Sequence, residues 1–515
     1  MNSRSETLRN TLFSSVGVYT EYLLGMLVSI LIARHLGPAD FGIYSLVVWL
    51  VACGVTLTNA GTTTTTIKFV AELRGSQRTE LIPTLMRYLR RAQSLFLLVL
   101  LGVGSIVFLL FADDVLPTFN RFEIAALLVF CIALRSNYML NIAAAKGFER
   151  FGATATIAAY SAPVNLALVV IADLLHGPVE MFLAVFAISS LVFYAVSLWQ
   201  VRSFAPRVSS AIVLPPDLLK RIHRHMVFAA LISSIAFFTA SETEVLFLNL
   251  MSTPAEAGFF KVAYQLASGA CVLLPGVFSA ILLPLLAKSL GESKALGARK
   301  FRNATTFLVI LAAPLVGFGF VFSGDVILVL YGKAYVAAAP VLAWCLFGYA
   351  STVVSSAANG FLMSADHQHS VLARVSFCGV MKILLDFILI SYFDLIGAVI
   401  AFVSVALIAA VITIVLAMRL GETQLAWGRL IRIVGAVTAA TLLSMPLHMI
   451  PMPAVAMVAG CATLTVLYAI FTLVFGCWTA EDIAYLGDLH KRIARGRPQV
   501  IAKVLDWAQL RAQPD

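Results

Sequence analysis

The sequence predicts an all-α polytopic membrane protein with about fourteen transmembrane helices. Of its 515 residues 61% are hydrophobic and 12% are charged, whereas a soluble domain is about half apolar and about a quarter charged. The apolar residues form stretches of about 20, the length that crosses roughly 30 Å of hydrocarbon. A motif near Pro38 also recurs near Pro254. These observations exclude a soluble fold and indicate two related halves.

The predicted spans run along the whole chain. Those before the second copy of the motif are 10–33, 41–67, 86–112, 122–145, 152–172, 179–201 and 225–250. Those after it are 258–286, 302–323, 337–363, 371–391, 395–418, 430–450 and 453–477. The first stretch carries Glu21 and has no small-residue cleavage pattern, which indicates a first helix and not a signal peptide.

The distribution of basic residues predicts the orientation. If the N-terminus is cytoplasmic, 30 of the 36 Lys and Arg lie in cytoplasmic segments. The external loops hold Arg34, Arg121 and Lys333. Basic residues are concentrated in cytoplasmic loops of membrane proteins, so both termini are predicted to be cytoplasmic.

The repeated motif predicts the domain organisation. Residues 38–44 read PADFGIY and residues 254–260 read PAEAGFF, an offset of 216 residues. Six predicted helices separate the copies, so both run in the same direction and an axis along the membrane normal relates the halves. The prediction is two pseudo-symmetric six-helix bundles at 1–215 and 216–420, an additional transmembrane hairpin at 421–477 and a cytoplasmic basic tail at 478–515.

The sequence carries no signature of catalysis or of a cofactor. Its seven cysteines stand singly in or beside apolar spans, without the close spacing of metal ligands. No phosphate-binding loop and no nucleophile motif is present, and every predicted external loop is short. The net charge of +10 is explained by topology and not by nucleic acid. We therefore expect a protein that is not an enzyme and uses no metal or cofactor.

Three segments near the N-terminus carry a family resemblance. The segments are 33–44 (ARHLGPADFGIY), 59–61 (NAG) and 67–71 (IKFVA). They resemble the opening of the polysaccharide transporter family, the Wzx-like flippases, within the multidrug/oligosaccharidyl-lipid/polysaccharide superfamily. A weaker echo of the first segment lies at the seventh and eighth predicted helices.

The resemblance implies a function in polysaccharide biosynthesis. Members of this family translocate a lipid-linked oligosaccharide, usually on undecaprenyl diphosphate, across the bacterial inner membrane. The implied partners are that substrate, membrane lipids and other polysaccharide-assembly membrane proteins. Two alternatives stay open, namely a drug or metabolite antiporter of the same superfamily and an integral-membrane glycan polymerase or ligase.

Ionisable residues within the spans are the candidate functional residues. Each costs about 2.5 to 3.5 kcal/mol if it faces lipid at the bilayer centre. They are therefore expected to face the bundle interior, to form pairs or to contact water. The set is Glu21, Arg135, Glu242, Glu244, Lys261, Lys382 and Asp386.

The basic members are candidates for substrate binding. Arg135 has no acidic residue three or four positions away, and a guanidinium binds phosphate oxygens as a fork. Lys382 lies four residues before Asp386, so the two can neutralise each other on one helix face. Lys261 opens the eighth predicted helix, where an ion pair with Glu244 is expected to gate the pathway or to tie two helices together.

The acidic members Glu21, Glu244 and Asp386 are candidates for ion coupling or gating. Glu21 shares one helix face with small and polar residues. That face either lines a polar cavity or allows close helix packing around a static carboxyl group. The small and polar residues are Ser14, Gly17, Gly25 and Ser29.

Overall fold

The computed structural model describes residues 2–116, 119–204, 213–240, 242–273, 282, 286–365 and 367–479. The described residues are almost entirely helical, as predicted. The predicted basic tail lies outside the described residues from residue 480 onward. Cys477 and Thr479, at the end of the described chain, are buried.

The helices follow one another with short connections. The first nine are α1 (Asn2–Asn59), α2 (Thr62–Gly75), α3 (Ile82–Val115), α4 (Arg121–Gly147), α5 (Phe151–Leu174), α6 (Val179–Phe204), α7 (Pro216–Ala240), α8 (Thr243–Met251) and α9 (Pro254–Leu273). Those that follow are α10 (Lys294–Leu330), α11 (Ala338–Ser364), α12 (Gln368–Gly421), α13 (Trp427–Ser444) and α14 (Pro453–Val474).

Two of the long helices contain a break that separates two predicted spans. In α1 the break is at Gly37, whose φ of 74° favours glycine, and Pro38 then starts the next span. In α12 the break is at Asp394, with φ 49°. Eleven helical segments in the described chain are long and apolar enough to cross a membrane. Counting both halves of the broken helices and adding α9 gives the fourteen spans that the sequence predicts.

The chain forms two compact units. Unit 1 comprises Met1–Val262 and Val375–Ala401, and unit 2 comprises Ala263–Arg374 and Phe402–Asp515. These units follow packing, whereas the predicted division at residues 215 and 420 follows the repeat. The division into two six-helix bundles by residue range stays a prediction.

The two copies of the repeated motif pack against each other within unit 1. A Cβ atom added at Gly42 would lie 1.8 Å from the carbonyl oxygen of Pro254. A Cβ atom added at Gly258 would lie 2.1 Å from the carbonyl oxygen of Pro38. Each glycine therefore lets its own helix approach the proline of the other copy. The contact is reciprocal, as expected for segments related by a two-fold axis.

Glu256 of the second copy stabilises the break in α12. Its Oε2 accepts hydrogen bonds from Ser252 Oγ at 2.5 Å and from the backbone N of Leu395 at 3.1 Å. Because Asp394 leaves the helical conformation, the amide that follows it needs another acceptor. The acidic residue of the repeat supplies that acceptor.

The additional hairpin α13–α14 packs on α10 within unit 2. Ile433, Ala436 and Ala440 of α13 form a buried core with Ile310 of α10 and Tyr468 of α14. The Tyr468 hydroxyl donates to the carbonyl oxygen of Ile310 at 2.9 Å. The hairpin is therefore an integral part of unit 2.

Candidate functional site

The start of α8 contributes an acidic residue to the interior of unit 1. Glu242 has φ −76° and ψ 58°, so the helix is interrupted before Thr243. Helical geometry then places Thr243 and Glu244 on the side of α8 that is buried, with 1% and 0% exposure. The break thus brings a hydroxyl and a carboxyl group into the protein core.

A buried ionic cluster forms where α8 meets the first half of α12. The Lys382 ammonium group donates a hydrogen bond to Glu244 Oε1. Lys382 Nζ lies 3.6 Å from Asp386 Oδ2, as their spacing of four residues predicts. The hydroxyl of Thr243 donates to Asp386 Oδ2 at 3.2 Å. The side chains of Lys382, Glu244 and Asp386 are 2%, 0% and 0% exposed.

The charges within this cluster do not cancel. Two carboxyl groups surround one ammonium group, so the fully ionised cluster carries one excess negative charge. Glu244 Oε2 and Asp386 Oδ1 have no hydrogen-bond partner within the described part of the chain. An uncompensated buried charge is strongly unfavourable, so one bound proton or one small cation is needed to neutralise the site.

The predicted ion pair between Lys261 and Glu244 is wrong. Lys261 donates to Glu242 instead, and Glu244 is bonded to Lys382. Two residues apart on a helix, side chains point to nearly opposite sides. The two glutamates therefore meet different partners, and Lys261 and Glu242 form a second, less buried pair with 16% and 22% exposure.

Arg135 lies at a separate place in unit 1, between α4 and α6. Its Nε donates to Ser190 Oγ at 2.8 Å. Its guanidinium carbon lies 4.2 Å from the centre of the Phe186 ring, a cation–π contact. Ser190 Oγ in turn donates to the carbonyl oxygen of Phe186 at 2.8 Å. The guanidinium group is thus held in a fixed orientation by one helix, and its role in substrate binding stays a prediction.

Glu21 lies in α1, but its side chain is outside the described residues. Its predicted role in ion coupling therefore stays a prediction. The structure does show that the ends of that stripe differ, because Gly25 has open space around it.

Sequence reasoning missed a buried polar network in unit 1. Gln93 Nε2 donates to Asn59 Oδ1 at 2.8 Å and to the carbonyl oxygen of Ser136 at 2.7 Å. Asn141 Nδ2 donates to Ser197 Oγ at 3.0 Å. Uncharged polar residues inside apolar spans were the available signal, since such side chains must be hydrogen-bonded when buried. The network links α1, α3, α4 and α6.

The family comparison covers more than half of the chain. Residues 7–290 match the model of a family described as polysaccharide biosynthesis protein. No curated protein sequence matches the chain.

Solved structures match the fold at low sequence identity. The inward closed conformation of the lipid II flippase MurJ aligns with a TM-score of 0.72 and 12% identity, over 90% of this chain and 98% of that one. An inward-facing multidrug resistance MATE family transporter of the MOP superfamily aligns with a TM-score of 0.63 and 14% identity, over 79% and 98%. A MATE structure in a bent conformation aligns with a TM-score of 0.54 and 16% identity, over 81% and 95%.

Proposed function

The chain belongs to the family of polysaccharide biosynthesis proteins, and from this membership we propose that it is a flippase for a lipid-linked oligosaccharide. The substrate is carried on undecaprenyl diphosphate and moves from the cytoplasmic to the periplasmic leaflet of the bacterial inner membrane. It serves exopolysaccharide, O-antigen or capsule synthesis. The fold shared with a lipid II flippase over 90% of the chain supports a lipid-linked substrate.

An apolar cavity of about 540 Å³ within unit 2 is the observation that carries this proposal. It lies among α10, α11, the second half of α12 and α13. Its lining is apolar apart from Ser351, Thr438 and Thr441, together with backbone atoms. An isoprenoid tail needs such an apolar surface, since each methylene removed from water contributes about 0.8 kcal/mol. A glycan headgroup needs the opposite kind of surface.

The position of the cavity favours a lipid substrate over a soluble one. One of its walls is α13, which belongs to the hairpin added after the repeat. The two MATE structures cover only 79% and 81% of this chain, whereas the lipid II flippase covers 90%. The additional helices thus build a surface that suits a long apolar chain.

Filling the cavity tests the proposal. We expect Ser351→Phe to lower export of the lipid-linked glycan by about tenfold, because the ring occupies space that the isoprenoid tail needs. Thr352→Phe is the matched control, since Thr352 is the next residue of α11, is exposed and does not line the cavity. The measurement is glycan export in cells at equal membrane levels of each variant. Equal export by the two variants would contradict a role for the cavity.

The buried cluster is proposed to provide ion coupling. One proton shared by Glu244 and Asp386 neutralises the excess charge of the site, and its loss on one side of the membrane favours the alternative conformation. Glu21 is proposed to contribute in the same way from α1. Lys382 holds the carboxyl groups together and keeps the cluster from carrying two negative charges.

The rival function is ion-coupled drug or metabolite antiport. The likeness to a MATE family transporter favours it, with a TM-score of 0.63. An antiporter of soluble compounds has no use for the cavity beside α13, so its transport is unaffected by Ser351→Phe. Retention of drug efflux with loss of glycan export in neither variant would favour antiport.

The proposed orientation has a direct test. We expect reporters fused after Gly75, Ser293 and Gln499 to report cytoplasm, and those after Gly177 and Gly332 to report periplasm, because 30 of the 36 basic residues then lie inside. Paired alkaline phosphatase and fluorescent protein fusions measure this. Two reversed sites would contradict the topology.

A further inference from the structure

The exposed faces of α3 and α7 carry the same pattern of side chains. On α3 two arginines, Arg87 and Arg91, are followed by Leu95 and Leu98, and all four are exposed. Residues spaced by three or four share one helix face. The exposed apolar pair lies one to two turns beyond the basic pair.

On α7 the corresponding positions are Lys220, Arg224, Phe228 and Leu231, which are also exposed. The spacing along the helix is identical to that on α3. Both helices begin at the end that the proposed topology places in the cytoplasm. Two basic groups and then two apolar groups therefore point outward on each helix, in the same order from the inner membrane surface.

The structure joins these two faces. The core of Phe69, Val70 and Leu73 on α2 packs against both α3 and α7. Tyr88 of α3 and His223 of α7 share a hydrogen bond, and their ring centres are 5.6 Å apart. Tyr88 borders one edge of the α3 face and His223 borders the opposite edge of the α7 face. The contact therefore places the two exposed faces side by side.

The surrounding charges leave these basic groups uncompensated. Arg221, on another side of α7, is bonded to both carboxylate oxygens of Glu72 at 3.0 and 3.1 Å. Among the described residues, by contrast, neither Arg91 nor Arg224 has an acidic partner within 4.0 Å. Asp217 lies one turn before Lys220 and partly offsets its charge. The positive field is therefore strongest around Arg91 and Arg224.

We propose that the adjoining faces of α3 and α7 bind an anionic phospholipid of the inner leaflet. Arg91 and Arg224 contact its phosphate, and Arg87 and Lys220 lie one turn closer to the cytoplasm. Its acyl chains lie along the exposed apolar residues, so one molecule satisfies both parts of the pattern. The apolar residues are Leu95, Leu98, Phe228 and Leu231. This site is separate from the proposed substrate cavity, which lies in unit 2.

Lipid retention by the purified full chain tests this inference. The probe is palmitoyl-oleoyl phosphatidylglycerol, compared with phosphatidylcholine of the same acyl chains, and native mass spectrometry measures the affinity of the first bound lipid. We expect Arg91→Gln/Arg224→Gln to weaken phosphatidylglycerol binding about 30-fold, because each basic residue near an anionic leaflet contributes about fivefold. Phosphatidylcholine binding should be unchanged.

The control variants separate this site from a general effect of positive charge. Arg78→Gln/Arg150→Gln also removes two exposed basic residues of unit 1, but neither lies on the two faces; it should retain affinity within about twofold. Arg91→Lys/Arg224→Lys should retain most of the binding. If the glutamine variant fails to fold, Leu98→Gln/Leu231→Gln decides, since it removes acyl contacts alone and should also weaken binding.

Several results would overturn the proposal. One is equal loss of phosphatidylglycerol by the Arg91/Arg224 and Arg78/Arg150 variants, which would indicate diffuse attraction. Another is full binding by Leu98→Gln/Leu231→Gln together with displacement of the lipid by inorganic pyrophosphate. That outcome would indicate a site for a free phosphate or diphosphate group and not for a lipid.

Discussion

Replacing Lys382 with methionine is expected to destabilise the protein by about 3 to 5 kcal/mol, because it leaves two buried carboxyl groups without their cation. Methionine is unbranched and of similar length, so little packing is lost. The variant should show a lower midpoint of thermal unfolding in detergent and a lower level in the membrane. Among the substitutions considered for this protein, this one has the largest expected effect on stability.

The triple variant Glu244→Gln/Lys382→Met/Asp386→Asn is the matched control. It removes all three charges and keeps the side-chain volumes nearly constant, so most of the lost stability should return. Replacing Asp386 alone together with Lys382 should restore less, because Glu244 then remains as an orphan carboxyl group. Thermal unfolding of the three proteins side by side gives this comparison.

Transport by the triple variant then isolates the role of the cluster in coupling. If the cluster binds the coupling ion, the stable triple variant should move substrate in proteoliposomes without responding to an imposed ion gradient. A response equal to that of the wild-type protein would show that the cluster is structural. Lys382→Met that is as stable as the wild-type protein would contradict the charge argument itself.

Arg135→Ala is expected to lower glycan export by about 10-fold to 100-fold, because a charge-assisted hydrogen bond to phosphate contributes about 1.5 to 3 kcal/mol. A diphosphate that enters a poorly hydrated pathway loses water that fixed cations must replace. The measurement is export at equal membrane levels of wild-type and variant protein. Full export by Arg135→Ala would assign the arginine a structural role.

Two further variants of this site distinguish charge from geometry. Arg135→Lys keeps the charge but loses the planar fork, so only part of the export should return. Ser190→Ala removes the acceptor of the Arg135 Nε hydrogen bond and leaves the charge and the Phe186 contact in place. It should therefore reduce export less than Arg135→Ala does.

The sequence predicted local relations well and distant ones poorly. The helical fold, the breaks near Gly37 and Asp394 and the pairing of Lys382 with Asp386 all follow from spacing within a few residues. The bond between Lys382 and Glu244 joins residues 138 positions apart, and no local pattern indicates it. Choosing between Lys261 and Lys382 as the partner of Glu244 requires the relative positions of three helices.

The interruption at Glu242 explains why that choice was missed. A continuous seventh helix was predicted through residues 225–250, with both glutamates in its outer half. The chain instead leaves the helix before Thr243 and starts α8 there. Glycine and proline usually mark such breaks in a sequence, and neither is present within residues 239–245.

The reciprocal contact between the two copies of the repeated motif also bears on how this chain can evolve. A side chain at Gly42 would collide with the backbone of Pro254, and one at Gly258 would collide with the backbone of Pro38. Backbone atoms cannot be trimmed by substitution, so neither collision can be relieved by a mutation in the opposite segment. After an ancestral gene duplication, each copy would therefore have become part of the environment that selects the other. The two segments can diverge at the positions between them, as Asp40 and Glu256 have done, while the glycines stay fixed as a pair.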